Sequence, residues 1–269
     1  MQTLLFVFGA AACLRARVAV HRTALIHGVQ WGMAAWCGWG LAIFLDGLTT
    51  LVPASNPSLP IYGALCLTGC AAVAVLGARR PQAAAWNFVV VGLLAVMFLP
   101  LAEEAIIGTH SLDWMRIAFL GVTLGIGLVN YLPTRFGPAA FLAAIACAAE
   151  LIALAAPRGW QFSKEADMIR LCLLAAPGLA LAMWRCFPSD QASELDRMWR
   201  DFRDRWGLVW AQRVREQFNR VAANAGWPVT LTWSGFTFQQ QVDAATRAAI
   251  RDALSALLRR FVDAKSNAG

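Results

Sequence analysis

The sequence predicts an all-α polytopic membrane protein, in which a bundle of six transmembrane helices is followed by a small cytoplasmic C-terminal unit of α+β type. Six stretches approach the roughly 20 apolar residues that cross a bilayer core as a helix. Only 14% of the residues are charged, whereas soluble domains carry about a quarter. Residues 1–187 hold 11 Lys/Arg and 7 Asp/Glu, while the last 82 residues hold 12 and 9. This segregation predicts a membrane part and a water-soluble part.

The first 22 residues are predicted to form a separate cytoplasmic or interfacial segment. Their apolar run, TLLFVFGAAAC, is 11 residues long and therefore too short to span a bilayer. No basic region precedes this run, which argues against a secretory signal peptide. We therefore expect residues 1–22 to be an interfacial helix or the product of a start codon assigned too far upstream.

Six spans are predicted within residues 23–187, and the basic residues orient them. The spans are 23–45, 61–78, 86–107, 114–132, 138–156 and 168–187. Arg15, Arg17 and Arg22 precede the first span, and the loop after the second is basic as well. Because basic loops stay in the cytoplasm, this pattern places both termini there. The loop before the sixth span, which is basic as well as acidic, is the exception.

The composition also indicates where the protein resides. Arginine outnumbers lysine 21 to 2, and alanine is abundant. This bias is common in proteins from GC-rich bacterial genomes. The expected location is therefore the bacterial cytoplasmic (inner) membrane, with the lipid bilayer as the first partner.

Residues 188–269 are predicted to form a cytoplasmic domain that begins with one long helix. Ser189 or Asp190 can cap its start, and Gly226 ends it. Residues 190–224 hold 7 arginines and 6 acids, so the attraction of this helix to anionic lipid is weak. Its apolar residues recur at threes and fours and form an aromatic stripe that is expected to bind protein. The residues predicted to dock a partner are Trp199, Phe202, Trp206 and Trp210.

A β-hairpin and a second helix are predicted to complete the C-terminal region. The stretch WPVTLTWSGFTFQ alternates apolar and polar residues around a possible tight turn at Ser234–Gly235. The stretch DAATRAAIRDALSALLRRFVD is amphipathic with helical spacing. A unit of about 80 residues is close to the lower limit for independent folding. We therefore expect it to lean on the membrane bundle or on a partner protein.

Carboxylates inside the apolar spans are the candidate functional residues. Glu103 and Glu104 lie near the outer end of the third span, and Glu150 lies deeper in the fifth. An ionised carboxylate at such depth is costly unless it is paired or faces water. The predicted polar patch consists of Glu103, Glu104, Glu150 and Arg116, with Arg170 and His110 as further candidate partners. A structural ion pair and a working proton or cation site remain the two interpretations.

The motifs identify no enzyme, metal site or nucleic-acid site. The paired glutamates are similar to the EExxxR motif of CAAX-type intramembrane proteases, but EEAIIG lacks the arginine and no histidine follows His110. The seven cysteines have no zinc spacing, and no Lys/Arg-rich run suggests nucleic acid. His27 beside Trp31 leaves a haem or quinone ligand open, although no cofactor and no metal is predicted because a single histidine in a helix more often serves packing.

Three function classes remain open, and the first is favoured. The chain is expected to be a non-catalytic anchor, docking or accessory subunit of a bacterial membrane complex, with protein partners bound through the C-terminal domain. The alternative is a small transporter or proton-coupled carrier that uses the outer-leaflet carboxylates, and the third is an intramembrane enzyme. Pairs of glycines four residues apart, such as Gly28 and Gly32, permit close helix packing and leave a homo-oligomer open.

Overall fold

The structure, a computed structural model, describes residues 2–49, 58–79, 83–107, 113–156, 163–186 and 193–262. These residues are mostly helical and include one two-stranded antiparallel sheet. The α-helices are Gln2–Val20 (α1), Ile26–Thr49 (α2), Ser58–Leu76 (α3), Ala83–Met97 (α4), Leu99–Ile107 (α5), Trp114–Tyr131 (α6), Gly137–Ala155 (α7), Ser163–Cys186 (α8), Glu194–Asn224 (α9) and Ala244–Leu258 (α10). The strands are Val229–Leu231 (β1) and Phe236–Phe238 (β2), and a single 3₁₀ turn, Arg259–Phe261, follows α10.

Five helices of the described chain are long and apolar enough to cross a membrane, which indicates a multi-pass membrane protein. They are Gln2–Val20, Leu59–Leu76, Trp114–Tyr131, Gly137–Ala155 and Met168–Arg185. Four of them coincide with predicted spans. The fifth, α1, falls in the segment for which no span was predicted.

Within the segment predicted to be cytoplasmic or interfacial, residues 2–20 form a helix that contacts the bundle. The apolar run continues through Arg15 and Arg17 into a helix of 19 residues, because arginine is a good helix former and can extend its charged end to the interface. Helix α1 packs against α2 and α8. The ring of Phe6 stacks on Trp36 with centroids 5.3 Å apart, and the Trp36 indole donates to the Phe6 carbonyl.

The first predicted span corresponds to α2, which is 24 residues long but is not among the five apolar helices of the described chain. Its polar side chains find partners within the bundle. The Trp39 indole donates to the Thr68 hydroxyl at 3.0 Å, and the Trp31 indole donates to the Asn87 carboxamide at 2.8 Å. The closest partner of α2 is α3, against which it packs more extensively than against any other element.

The third predicted span is divided into α4 and α5 at Phe98. Pro100, which has no N–H to continue the hydrogen-bond ladder, is the second residue of α5. The Tyr62 hydroxyl donates to the Met97 carbonyl at 2.8 Å, beside the break. The break beside Pro100 is therefore accompanied by a side-chain hydrogen bond from α3.

Helix α3 is the centre of the bundle. Leu65, Cys66 and Cys70 are fully buried, and α3 packs against α2, α4, α6 and α7. Glycine at 127 lets α6 approach Ala72 of α3 so closely that a Cβ there would overlap it. Apolar side chains on the outer helices are instead exposed, as at Phe88, which suits a surface covered by lipid.

The C-terminal segment, residues 193–262, contains the predicted order of helix, hairpin and helix. Ser193 caps α9, its hydroxyl accepting from the Asp196 N–H at 3.2 Å. Strands β1 and β2 pair with Thr230 opposite Thr237. Asp243 caps α10 by accepting from Thr246 N–H at 2.9 Å, and hydrogen bonds from Thr246 lower the pKa of this carboxyl.

This segment covers one end of the helical bundle. Phe261 accepts a backbone hydrogen bond from Ala24, just after α1, and Thr23 bridges to Val262. The ends of α3 and α6 contact α9 at the same place. Helix α1 ends beside the C-terminal segment, while Phe6 lies next to Trp36 well along α2. Helix α1 therefore begins toward the opposite end of the bundle.

Candidate functional site

Two members of the predicted patch, Glu103 and Arg116, form an ion pair between α5 and α6. The guanidinium donates twice to the carboxylate, from Nη1 to Oε2 at 2.8 Å and from Nη2 to Oε1 at 3.1 Å. Both side chains are about one-third exposed. A bidentate pair of this kind fixes geometry, but its exposure limits what it contributes to stability. The side chain of Glu104 and residue His110 lie outside the described part of the structure.

Glu150 is the buried carboxylate of the bundle. It is only 6% exposed, and its Oε1 lies 3.5 Å from Nε of Arg170 on α8. Arg170 in turn donates from Nη1 to Oδ2 of Asp46 in the last turn of α2. The group Asp46–Arg170–Glu150 therefore joins α2, α8 and α7 at the end of the bundle opposite the C-terminal segment.

Asp46 was not among the predicted members of this group. The sequence pattern placed it after the first span, whereas α2 continues to Thr49 and keeps the carboxylate on the helix. The predicted patch had Arg116 as its main counter-charge and Arg170 as a further candidate, whereas the structure pairs Arg116 with Glu103 and Arg170 with Glu150. The predicted residues thus belong to two separate groups. Each group connects a different set of helices.

The buried group has the properties of either a helix fastener or a proton site. Two carboxylates face one guanidinium, so the three side chains together carry one net negative charge when both acids are ionised. Oε1 of Glu150 makes no hydrogen bond within the described residues. A buried oxygen without a donor is destabilising, and either a proton or a cation would satisfy it.

The aromatic residues predicted to dock a partner are covered by the chain itself. Trp199, Phe202, Trp206 and Trp210 are between 0% and 6% exposed. The ring of Phe261 packs edge-on against Phe202, Trp206 and Trp210, with centroids 4.9 to 5.7 Å apart. The aromatic stripe is thus core in this structure and is closed to another protein. An amphipathic pattern shows that a face is covered without showing by what.

Two of these indoles also fasten α9 to α3. The indole of Trp206 donates to the Ala78 carbonyl at 3.3 Å, and that of Trp210 donates to the Val75 carbonyl at 3.1 Å. The last carbonyls of a helix have no partner inside the helix. Trp206 therefore donates to a carbonyl beyond the end of α3, and Trp210 adds a second donor to Val75 O, which also accepts from Ala78 N–H at 3.1 Å.

A break in α9 is held by Asn130 at the end of α6. Gly207 has φ of +76°, which interrupts the helical hydrogen bonds of α9. The carboxamide of Asn130 donates to Trp206 O at 3.5 Å and accepts from Val209 N–H at 3.1 Å. Asn130 is only 1% exposed. One buried side chain thus satisfies backbone groups on both sides of the break.

The turn between α6 and α7 carries an ion-pair network to α9. Arg135 lies 3.1 Å from Asp201 and 3.2 Å from Asp204, and its guanidinium packs over the Trp184 ring at 4.3 Å. Asp204 is only 3% exposed. The Trp233 indole, from the hairpin, donates to the Pro133 carbonyl at 3.1 Å. The C-terminal segment is therefore attached to α3, to α6 and to the turn that follows α6.

Among the remaining candidate ligands, His27 contacts a residue of its own helix, and the others are not clustered within the described part of the chain. His27 contacts Gln30 one turn along the same helix, with Nδ1 to Oε1 at 3.2 Å. Within the described residues, no group of three His, Cys, Asp or Glu side chains is arranged to hold a metal ion. Comparisons of the chain with protein-family models, with curated proteins and with solved structures found no match. The candidate functional features are therefore the two carboxylate groups and the junction with the C-terminal segment.

Proposed function

We propose that this chain is a non-catalytic anchor and docking subunit of a bacterial membrane complex. Its helical bundle holds the C-terminal segment at the cytoplasmic face of the membrane, where that segment binds a partner protein. The observation that carries the proposal is the polar attachment of α9 to the bundle through Trp206, Trp210, Asn130 and Arg135. A segment attached at so many points presents its outer face in one orientation, and preorganisation of this kind favours binding.

The docking surface belongs on the outer face of the segment and not on the aromatic stripe. Asn224 on α9, Thr237 on β2 and Arg251 on α10 are exposed, whereas the stripe is buried. Basic residues at the ends of α1 and α3 support the cytoplasmic placement, because such residues accumulate on that side. With α1 as an additional crossing helix, the amino terminus lies on the other side, in contrast to the sequence expectation that both termini are cytoplasmic.

Site-specific photo-crosslinking in the native host tests the docking proposal. A photoreactive amino acid is introduced at Asn224, Thr237 or Arg251, and at Phe88 and Val122 as matched positions, since both are exposed on the apolar helices. We expect the first three to crosslink to one and the same protein and the last two not to. If no position on the C-terminal segment crosslinks to protein, or if all five give the same products, the docking proposal is wrong.

A second candidate, a proton-coupled carrier, is favoured by the Asp46–Arg170–Glu150 group. A buried carboxylate that is ion-paired at 3.5 Å but accepts no hydrogen bond on Oε1 within the described residues, at the junction of three helices, is an arrangement that perturbed functional acids share. Proteoliposomes with an internal pH-sensitive dye report proton movement when a pH gradient is imposed. Flux that Glu150→Gln abolishes would establish this function, and flux equal in protein-free vesicles and in the parent would dismiss it.

A further inference from the structure

Three arginines from three elements line one small pocket at the junction between the bundle and the C-terminal segment. Arg79 follows α3, Arg213 lies on α9, and Arg260 lies in the 3₁₀ turn after α10. The pocket has a volume of about 30 Å³. Trp210 and Phe261, which belong to the buried aromatic cluster, form part of its wall.

The charge in this pocket is uncompensated within the described chain. No acidic side chain lines it, and none of the described carboxylates lies within ion-pair distance of the three guanidinium groups. Like charges gathered around one small volume repel each other, so an anion placed there lowers the energy of all three. Arg213 is also held in place, since its guanidinium packs over the Trp210 ring at 5.0 Å.

The pocket lies at the level where a spanning helix leaves the membrane. Arg79 comes three residues after the end of α3 at Leu76, and the Trp210 wall is hydrogen-bonded to Val75 within that helix. In a membrane protein this is the depth of the phosphate groups of the lipids. Guanidinium groups match phosphate oxygens in geometry as well as in charge.

We propose that Arg79, Arg213 and Arg260 form a binding site for a phosphate group, supplied either by the headgroup of an anionic lipid or by free phosphate. At about 30 Å³, the pocket is far smaller than the sites that enclose whole small-molecule ligands. The pocket therefore takes phosphate oxygens, and the remainder of the ligand stays outside. This site is independent of the docking function proposed above, because it needs no partner protein.

Thermal unfolding of the full chain in mild detergent tests the site. The additions are inorganic phosphate, dihexanoyl phosphatidylglycerol and, as a zwitterionic control, dihexanoyl phosphatidylcholine. At an addition of ten times the Kd, we expect the Tm of the parent to rise by about 3 °C. A rise with phosphate alone identifies a soluble phosphate as the ligand, and a rise with phosphatidylglycerol only identifies a lipid. No rise with either, or an equal rise with phosphatidylcholine, overturns the proposal.

Variants at the exposed members of the site make the test specific. Arg213→Gln and Arg260→Gln change side chains that are exposed, so both are expected to fold, and each should lose most of the ligand-induced rise. Arg251→Gln, on the outer face of α10 and outside the pocket, removes the same charge and should keep the rise. If Arg251→Gln loses as much as the pocket variants, or if all three respond like the parent, the site does not exist.

Discussion

At the scale of single residues, burial separates the carboxylates that matter to the fold from those that do not. The sequence grouped Glu103, Glu150 and Arg116 in one polar patch and marked Glu150 as the deepest acid. It could not show that Arg170 is the partner of Glu150, because that contact depends on how α7 and α8 are rotated against each other. It missed Asp46, because the end of a helix is the least reliable feature of an apolar pattern.

We expect Arg170→Gln to destabilise the protein by about 3 kcal/mol, since it leaves Glu150 and Asp46 without their guanidinium. Glu150→Gln should cost less, because Arg170 keeps Asp46, and the double variant should be less than additive. Unfolding with sodium dodecyl sulfate in mixed micelles measures these differences. The control is Arg116→Gln. Because both members of the Arg116–Glu103 pair are about one-third exposed, this substitution should cost under about 1 kcal/mol. Equal costs at Arg116 and Arg170 would show that burial is not the cause.

Gly207 gives a second prediction at this scale. Its φ of +76° lies in the region that L residues avoid, and a Cβ there would overlap the carboxamide of Asn130. Gly207→Ala should therefore destabilise the protein by about 2 kcal/mol or more, measured by the same titration. Gly125→Ala is the matched control, because Gly125 is helical and its Cβ would meet open space. If the two variants have the same stability, the strain argument fails.

At the scale of elements, the sequence predicted most helices and strands but not what each one covers. The aromatic stripe of α9 and the alternating hairpin follow from periodicity, and both are present. Periodicity does not show what packs against the stripe. In the structure Phe261, α10 and the end of α3 pack against it. Residues that look like a docking surface are therefore the core of the C-terminal segment.

The attachment of α9 to α3 can be tested without disturbing the core. Trp206→Phe and Trp210→Phe keep an aromatic ring but remove the N–H that each donates to the end of α3. Trp206→Phe should cost about 1 to 3 kcal/mol, because Ala78 O is left without its indole donor. Trp210→Phe should cost less, because Val75 O still accepts from Ala78 N–H. Trp114→Phe is the control, since Trp114 is 73% exposed, and should be close to neutral. Losses at Trp206 and Trp210 no larger than at Trp114 would mean that the indole hydrogen bonds are unimportant.

At the scale of the whole molecule, the difference between sequence and structure concerns the first helix. The run TLLFVFGAAAC is too short to span by itself, but the helix Gln2–Val20, which includes Arg15 and Arg17, is apolar enough to cross a membrane. In the structure this helix lies against α2 and α8, and of its residues only Gly9 and Val20 are buried. Whether this helix crosses the membrane decides on which side the amino terminus lies, and with it how many times the chain crosses.

The direction in which α1 runs makes it possible to test whether this helix crosses the membrane. Its last residue, Val20, lies close to the backbone contact between Ala24 and Phe261, whereas Phe6 lies beside Trp36, so the helix runs toward the C-terminal segment. We expect a thiol introduced as Gln2→Cys to react with a membrane-impermeant maleimide on intact cells. Asn224→Cys, which is exposed on the C-terminal segment, should react only after permeabilisation. Asn56→Cys serves as the outside marker, because both six and seven crossings place it there, and the parent with its native cysteines gives the background. If Gln2→Cys is labelled only after permeabilisation, both termini are cytoplasmic. Helix α1 then lies alongside the spans without crossing the membrane.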